Sequence, residues 1–154
     1  MEWQSVSADF ESDGALRDIY IRKATLVDWQ AVIDALKSEM PALEFRIGSE
    51  AAELPCDISE LFFRGPNDLT PALYVPMGDT TVNCHFFSDD EVEFDLNPRD
   101  MNEELLPLLL DFLTLLGKAT NKPVLLTMEN MPEAEIMRFE PSSEEVVYVG
   151  PAFG

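Results

Sequence analysis

The chain has 154 residues, 46% of them apolar and 10% aromatic, enough to close one hydrophobic core and too many for a disordered polymer. Thirty acidic residues against ten basic ones give a formal net charge of −20, which repels nucleic acid and anionic membranes and attracts cations and basic proteins. Cys56 and Cys84 form no CxxC pair and no disulfide framework, so both are expected to be buried thiols of a reducing compartment.

The opening MEWQSVSADF has no basic stretch followed by an apolar one, so no secretory signal is expected. From Ser5 to Ile21 two alternating runs flank Asp13-Gly14, a dipeptide suited to a tight hairpin turn. That turn sets Val6 opposite Ile21, Ala8 opposite Ile19, Ser7 opposite Tyr20 and Asp9 opposite Asp18. Opposed aspartates are mildly destabilising unless a cation lies near. Arg17, Arg22 and a partner protein are the candidates to supply it. Thr25 and Asp28 then make a capping-box start for a helix that ends at Met40-Pro41. Leu26, Trp29, Val32, Ile33 and Leu36 recur at helical spacing, which assigns Trp29 to the core rather than to recognition.

ALEFRIG reads as a strand and residues 48–56 as a loop, followed by four short strands in DISELFFRG, ALYVPMG, TTVNCHFF and EVEFDLN. Asn97-Pro98 is an N-cap with proline at the first helical position, opening a helix that runs to Gly117. Pro107 lies past the tolerated first turn, so a kink or restart is expected near Asn102. The run LLPLLLDFLTLL is too short to span a bilayer and contains Asp111, so it is a core helix. KPVLLTMEN, apolar on both faces, suits a central strand backed by helix. MPEAEIMRFEPSS reads as irregular or a single turn, EEVVYVG as a last strand and 150–154 as a loose tail. The sum is a single domain over 1–154, α+β, with an antiparallel-rich sheet of about seven to nine strands and two main helices packed on it. A cytoplasmic location is expected.

HFFSDDEVEFDLNPRD, residues 85–100, sets six carboxylates beside one arginine, yet alternates like a strand. A three-residue loop, Ser88-Asp89-Asp90, makes both faces of the hairpin consistent. Val82, Cys84 and Phe86 join Val92, Phe94 and Leu96 on the core side, and Asn83, His85 and Phe87 join Glu91, Glu93 and Asp95 on the solvent side. His85 then lies opposite Glu93. Such a row can bind a metal, supply an acid–base pair or receive a basic protein. One histidine and a row along a single strand converge poorly on a metal, and no calcium-loop spacing occurs. No GxSxG, P-loop or GxGxxG is present, and His85 is the sole histidine, which leaves little for nucleophilic catalysis.

Binding remains. No lysine or arginine occurs from Gly65 to Pro98, and such asymmetry raises the on-rate and selectivity for a basic partner. Asp89, Glu91, Glu93 and Asp95 are read as steering and arginine-pairing groups, with Asp18 and His85 beside them and Phe87 or Tyr20 as aromatic anchor. Basic clefts of this density are commonest in proteins that bind nucleic acid. SDGALRDIYI, NCHFF and EFDLNPRD, spread over the first two thirds of the chain, resemble segments of small acidic bacterial immunity-type proteins that neutralise toxins. The resemblance implies a non-enzymatic inhibitor of a cognate nuclease-type toxin, and it transfers no role to any residue. No cofactor, metal, nucleic acid or membrane is expected as a ligand. Two other classes fit the same residues: an acidic or salt-adapted housekeeping domain, and a small enzyme using Glu93, Asp95, His85 or Glu129.

Overall fold

The structure, a computed structural model, describes residues 1–63, 65 and 68–150. The expected hairpin at the start does not form. Its first arm is a helical turn, α1 (Trp3–Val6), continued by a 3-10 turn (Ser7–Phe10). Trp3, Val6 and Phe10 stand at helical spacing, and this pattern wins over the alternation because it buries Val6 and Phe10 in the core. Trp3 packs on Phe10 with ring centroids 5.7 Å apart. Strand β1 (Arg17–Arg22) is therefore free to pair elsewhere.

Helix α2 (Leu26–Glu39) begins at the expected reciprocal cap: the Asp28 N–H donates to Thr25 Oγ1 at 3.2 Å and the Thr25 N–H to Asp28 Oδ2 at 3.0 Å. Trp29 is fully buried and stacks on Phe86 at 5.1 Å, as its spacing requires. Strand β2 (Glu44–Ile47) is followed by a two-residue strand β3 (Glu50–Ala51) inside the expected loop. The segment read as a strand at DISELFFRG is instead a 3-10 turn (Ile58–Phe62) under an Asp57 cap, because Ile58 and Leu61, three apart, both turn inward. Cys84 is buried, but Cys56 lies at the surface, against the expectation for both thiols.

Strands β4 (Pro71–Met77), β5 (Thr80–Ser88) and β6 (Glu91–Leu96) follow as expected. A 3-10 turn (Pro98–Asp100) then forms under the Asn97 cap, and the chain restarts at Asn102, whose Oδ1 accepts from the N–H groups of Glu104 and Leu105. Helix α3 (Leu106–Thr120) thus carries Pro107 in its first turn, where proline costs nothing. Strand β7 (Val124–Met128) is buried throughout. The stretch read as irregular is a ten-residue strand, β8 (Met131–Glu140), and β9 (Glu145–Tyr148) closes the fold. The expected loose tail at 151–154 lies outside the described residues.

The nine strands of the described residues join one antiparallel sheet in the order β3-β2-β4-β5-β6-β1-β7-β8-β9. Register carries a single core row across it: Phe45, Leu73, Cys84, Phe94, Ile19, Leu126 and Met137 are successive cross-strand neighbours, all buried. Helices α2 and α3 lie on that face, with Phe94 edge-on to Phe112 at 5.3 Å. Gly117 permits the approach of α3, since a Cβ there would come within 2.0 Å of Phe139. The architecture is α+β with one open sheet and its helices on one side. No helix among the described residues is long and apolar enough to cross a membrane.

Candidate functional site

Among the described residues the opposite face of the sheet carries no helix, and register fills it with charge. One row across it reads Glu44, Tyr74, Asn83, Asp95, Asp18 and Thr127. The next reads Arg46, Ala72, His85, Glu93, Tyr20, Leu125 and Arg138. The expected pairing of His85 with Glu93 is present, and Asn83 pairs with Asp95. The loop differs from expectation: Ser88 pairs with Glu91, so the turn has two residues, Asp89 and Asp90. A bulge between His85 and Ser88 supplies the odd residue that preserves the faces. Phe86 goes to the core and Phe87 stands 62% exposed.

The opposed aspartates are Asp18 and Asp95, not Asp18 and Asp9. Asp9 is buried near the core-side Arg17, whose Nε donates to its carbonyl, and its carboxylate accepts from the Tyr148 hydroxyl at 2.5 Å. Both members of the observed pair are deep, Asp18 4% and Asp95 9% exposed, although the expectation placed Asp95 in solvent. Each is satisfied internally. Asp95 accepts from Asn83 Nδ2 at 2.9 Å and contacts His85 Nε2 at 2.5 Å. Asp18 accepts from the Tyr20 hydroxyl at 2.9 Å and from the Asn130 N–H at 2.8 Å. Irregular pairing between β7 and β8 brings the Glu129–Asn130 turn onto this end of the face, which accounts for the burial of Asp18 and Thr127 without a helix above them. Arg17 points to the core side and Arg22 pairs with Glu91 at 3.4 Å, so neither neutralises Asp18.

Tyr20 is 3% exposed and spent on Asp18, so it cannot serve as an aromatic anchor in the form shown. Phe87 can: its ring lies parallel to His85, centroids 4.9 Å apart, and open to solvent. Asp89, Glu91 and Glu93 hold the row's outward-facing carboxylates. Among the described residues no three His, Cys, Asp or Glu side chains converge in a metal-ligating arrangement.

Glu93 is the electrostatic centre. Partial burial, and after it the charge of Asp18, pushes its carboxyl up to about 7, against a smaller pull from His85. The hydrogen bond to Asp95 holds His85 above the usual imidazole range. Burial first, then its bond to Asp18, pushes the Tyr20 hydroxyl well up. A carboxyl protonated more readily in the folded chain than in the unfolded one destabilises the fold as pH rises from its unfolded value through 7. The His85–Asp95 pair acts in the same direction, since stability present while the imidazole is charged is lost as pH rises through its folded value. Glu93→Gln is therefore expected to raise stability at pH 8 by about 1–2 kcal/mol, after allowance for solvent screening, and to change little at pH 5. Denaturant melts at the two pH values check this, and a gain equal at both would contradict it.

Sequence reasoning missed Asn83 and Asn130 as the donors that hold the two aspartates. Asn83 was legible, since it sits two residues from His85 on the same strand face; Asn130 reaches the site only through the β7–β8 turn. No protein-family model matches the chain, and no curated protein is significantly similar to it.

Proposed function

We propose that the protein is a non-enzymatic acidic binding protein of the bacterial cytoplasm, an immunity protein that covers the basic cleft of a cognate nuclease-type toxin with the helix-free face of its sheet. The observation that carries this reading is the crowd of carboxylates around Glu93. Partial burial first, then the charge of Asp18, push its carboxyl up to about 7 against a smaller pull from His85, with Glu91 and Asp95 adding to the push. A guanidinium or ammonium inserted from a basic surface supplies a stronger countercharge and ionises Glu93. Asp95 and Asp18, already held by Asn83, His85, Tyr20 and Asn130, form a preorganised floor. Asp89 and Glu91 steer the approach, and Phe87 offers the apolar anchor at the rim.

A carboxyl titrating near 7 beside an imidazole also suits general acid–base chemistry, and this supports a second reading as a small enzyme built on Glu93 and His85. Association kinetics bear on the first reading. Exposed charges are screened over about 8–10 Å at physiological salt. The association rate with the basic partner is therefore expected to fall steeply from low to physiological ionic strength while dissociation changes little. Stopped-flow measurement against the product of the adjacent gene tests this, and a salt-independent association rate would place the contact on an apolar surface elsewhere.

A further inference from the structure

On the helix side of the sheet, where the end of α2 meets α3 over the β4–β5 turn, a cleft of about 380 Å³ carries charge of one sign. Glu39 closes the last turn of α2, and Asp111 interrupts the leucine run of α3. Both are exposed and both line the cleft. Neither has an ion pair or a hydrogen bond among the described residues, and no described cation lines the space. The lysines of the two helices are turned to other partners: Lys37 donates to the Pro55 carbonyl at 3.4 Å, and Lys118 lies 3.9 Å from Glu144. Two carboxylates therefore stand uncompensated, beside the negative end of the α2 dipole.

The rest of the wall is apolar, and it breaks the pattern of a surface helix. Helix α3 buries Leu106, Leu109, Phe112, Leu113 and Leu116 in the core, so its outer positions are where polar residues belong. Leu108 stands there instead, 40% exposed, and Leu115, two turns on, is only partly buried. With Asp111 between them, these leucines line the cleft together with Met40 and the buried Met77. The turn is fitted to this packing. Gly78 sits at φ 60°, and a Cβ there would come within 2.5 Å of Leu105 and 3.0 Å of Leu108. The base of the cleft is thus backbone packed on leucine, fixed before any ligand arrives.

We propose that this cleft binds an aliphatic diamine, one ammonium at Glu39 and the other at Asp111, its methylene chain against Met40, Met77, Leu108 and Leu115. Two unpaired carboxylates on separate helices match two cationic heads, and the apolar wall between the helices matches the tether that joins them. A bare metal ion is poorly served, since a hard cation asks for about six oxygen ligands and the remaining wall offers methyl and methylene groups. Apolar contact also sets this cleft apart from the rest of the acidic surface, where charge alone holds a cation loosely and salt releases it. The cleft lies on the other side of the sheet from the face proposed for the toxin, so it stands or falls independently of that reading.

The test is cadaverine titrated into the full chain, labelled at amides and methionine methyls, at physiological ionic strength, with pentylamine and magnesium chloride run alongside. Cadaverine is expected to give saturable shifts at the Met40 and Gly78 amides and at the Met40 and Met77 methyls. Pentylamine, with one head, should reach the same resonances about fivefold more weakly, the upper range for losing one exposed ion pair. Magnesium should leave the two methyls unmoved. Glu39→Gln and Asp111→Asn should each weaken cadaverine about fivefold, and together abolish saturation, without lowering the melting temperature, since both side chains are exposed. Glu50→Gln with Glu53→Gln, which removes the same charge from exposed positions around β3, should leave the affinity unchanged. Absence of saturable shifts, pentylamine or magnesium matching cadaverine, or equal losses in the two double variants would overturn the proposal.

Discussion

Arg17→Ala is expected to cost about 3 kcal/mol of folding stability, with a fall in melting temperature of roughly 10 °C for a chain of this size. Arg17 is 0% exposed and stands on the core side of β1, beside Leu96 and Met128. Its guanidinium gathers the N-terminal segment: Nε donates to the Asp9 carbonyl at 2.8 Å, Nη2 to the Glu11 carbonyl at 3.2 Å, and Nη1 to the Leu16 carbonyl at 3.1 Å. Both Nη atoms also reach the Asp13 carboxylate, at 3.3 and 3.2 Å. Alanine leaves those carbonyls without their donor and opens a cavity, so the penalty has a polar part and a packing part. Arg17→Met restores most of the volume and none of the bonds. It should recover only a minor share of the loss, as chemical denaturation of both variants will show. Full recovery by methionine would mean that the bonds contribute little net stability.

Asp89→Lys together with Glu91→Lys is expected to weaken association with the basic partner by at least about a hundredfold, because like charges set face to face cost several kcal/mol. The fold should shift by no more than about 0.5 kcal/mol, since Asp89 is exposed and Glu91 has only its loose contact with Arg22. Asp95→Lys would be a poor test of the same idea. Asp95 is buried and bonded to Asn83 and His85, so its loss would harm the fold and the contact together. Calorimetric titration and a thermal melt on one preparation separate the two effects. Undiminished binding by the double variant would remove the outer acids from the interface.

The acidic hairpin was legible because strand parity is local arithmetic. Alternation of Val92, Phe94 and Leu96 with Glu91, Glu93 and Asp95 admits only one facing, and the bulge at Phe86 and Phe87 preserved it even with the shorter turn. The capping box at Thr25 and the restart at Asn102 were legible for the same reason: backbone donors at a helix end need acceptors within reach. The opening segment was not. Asp13-Gly14 does turn, with Gly14 at φ 84°, but Trp3, Val6 and Phe10 fit a helical turn as well as an alternating strand, and only the core decides between them. Strand β8 hid because consecutive residues, Ile136 and Met137, are both buried beside its irregular pairing, which breaks the alternation that marks a strand. The depth of Asp18 goes with the β7–β8 turn that brings the Asn130 N–H to it, and lay beyond any local pattern.

Inhibition by occupancy and protection by turnover differ most plainly in stoichiometry. Increasing amounts of the purified protein should be added to a fixed amount of the basic toxin, with and without a metal chelator, and residual nuclease activity read at each ratio. Protection is expected to rise linearly, saturate near equimolar protein and be indifferent to chelation, with an isolable complex at the end point. Full protection at a small fraction of equimolar, lost when metal is removed, would contradict the binding account and favour turnover by the Glu93 and His85 site.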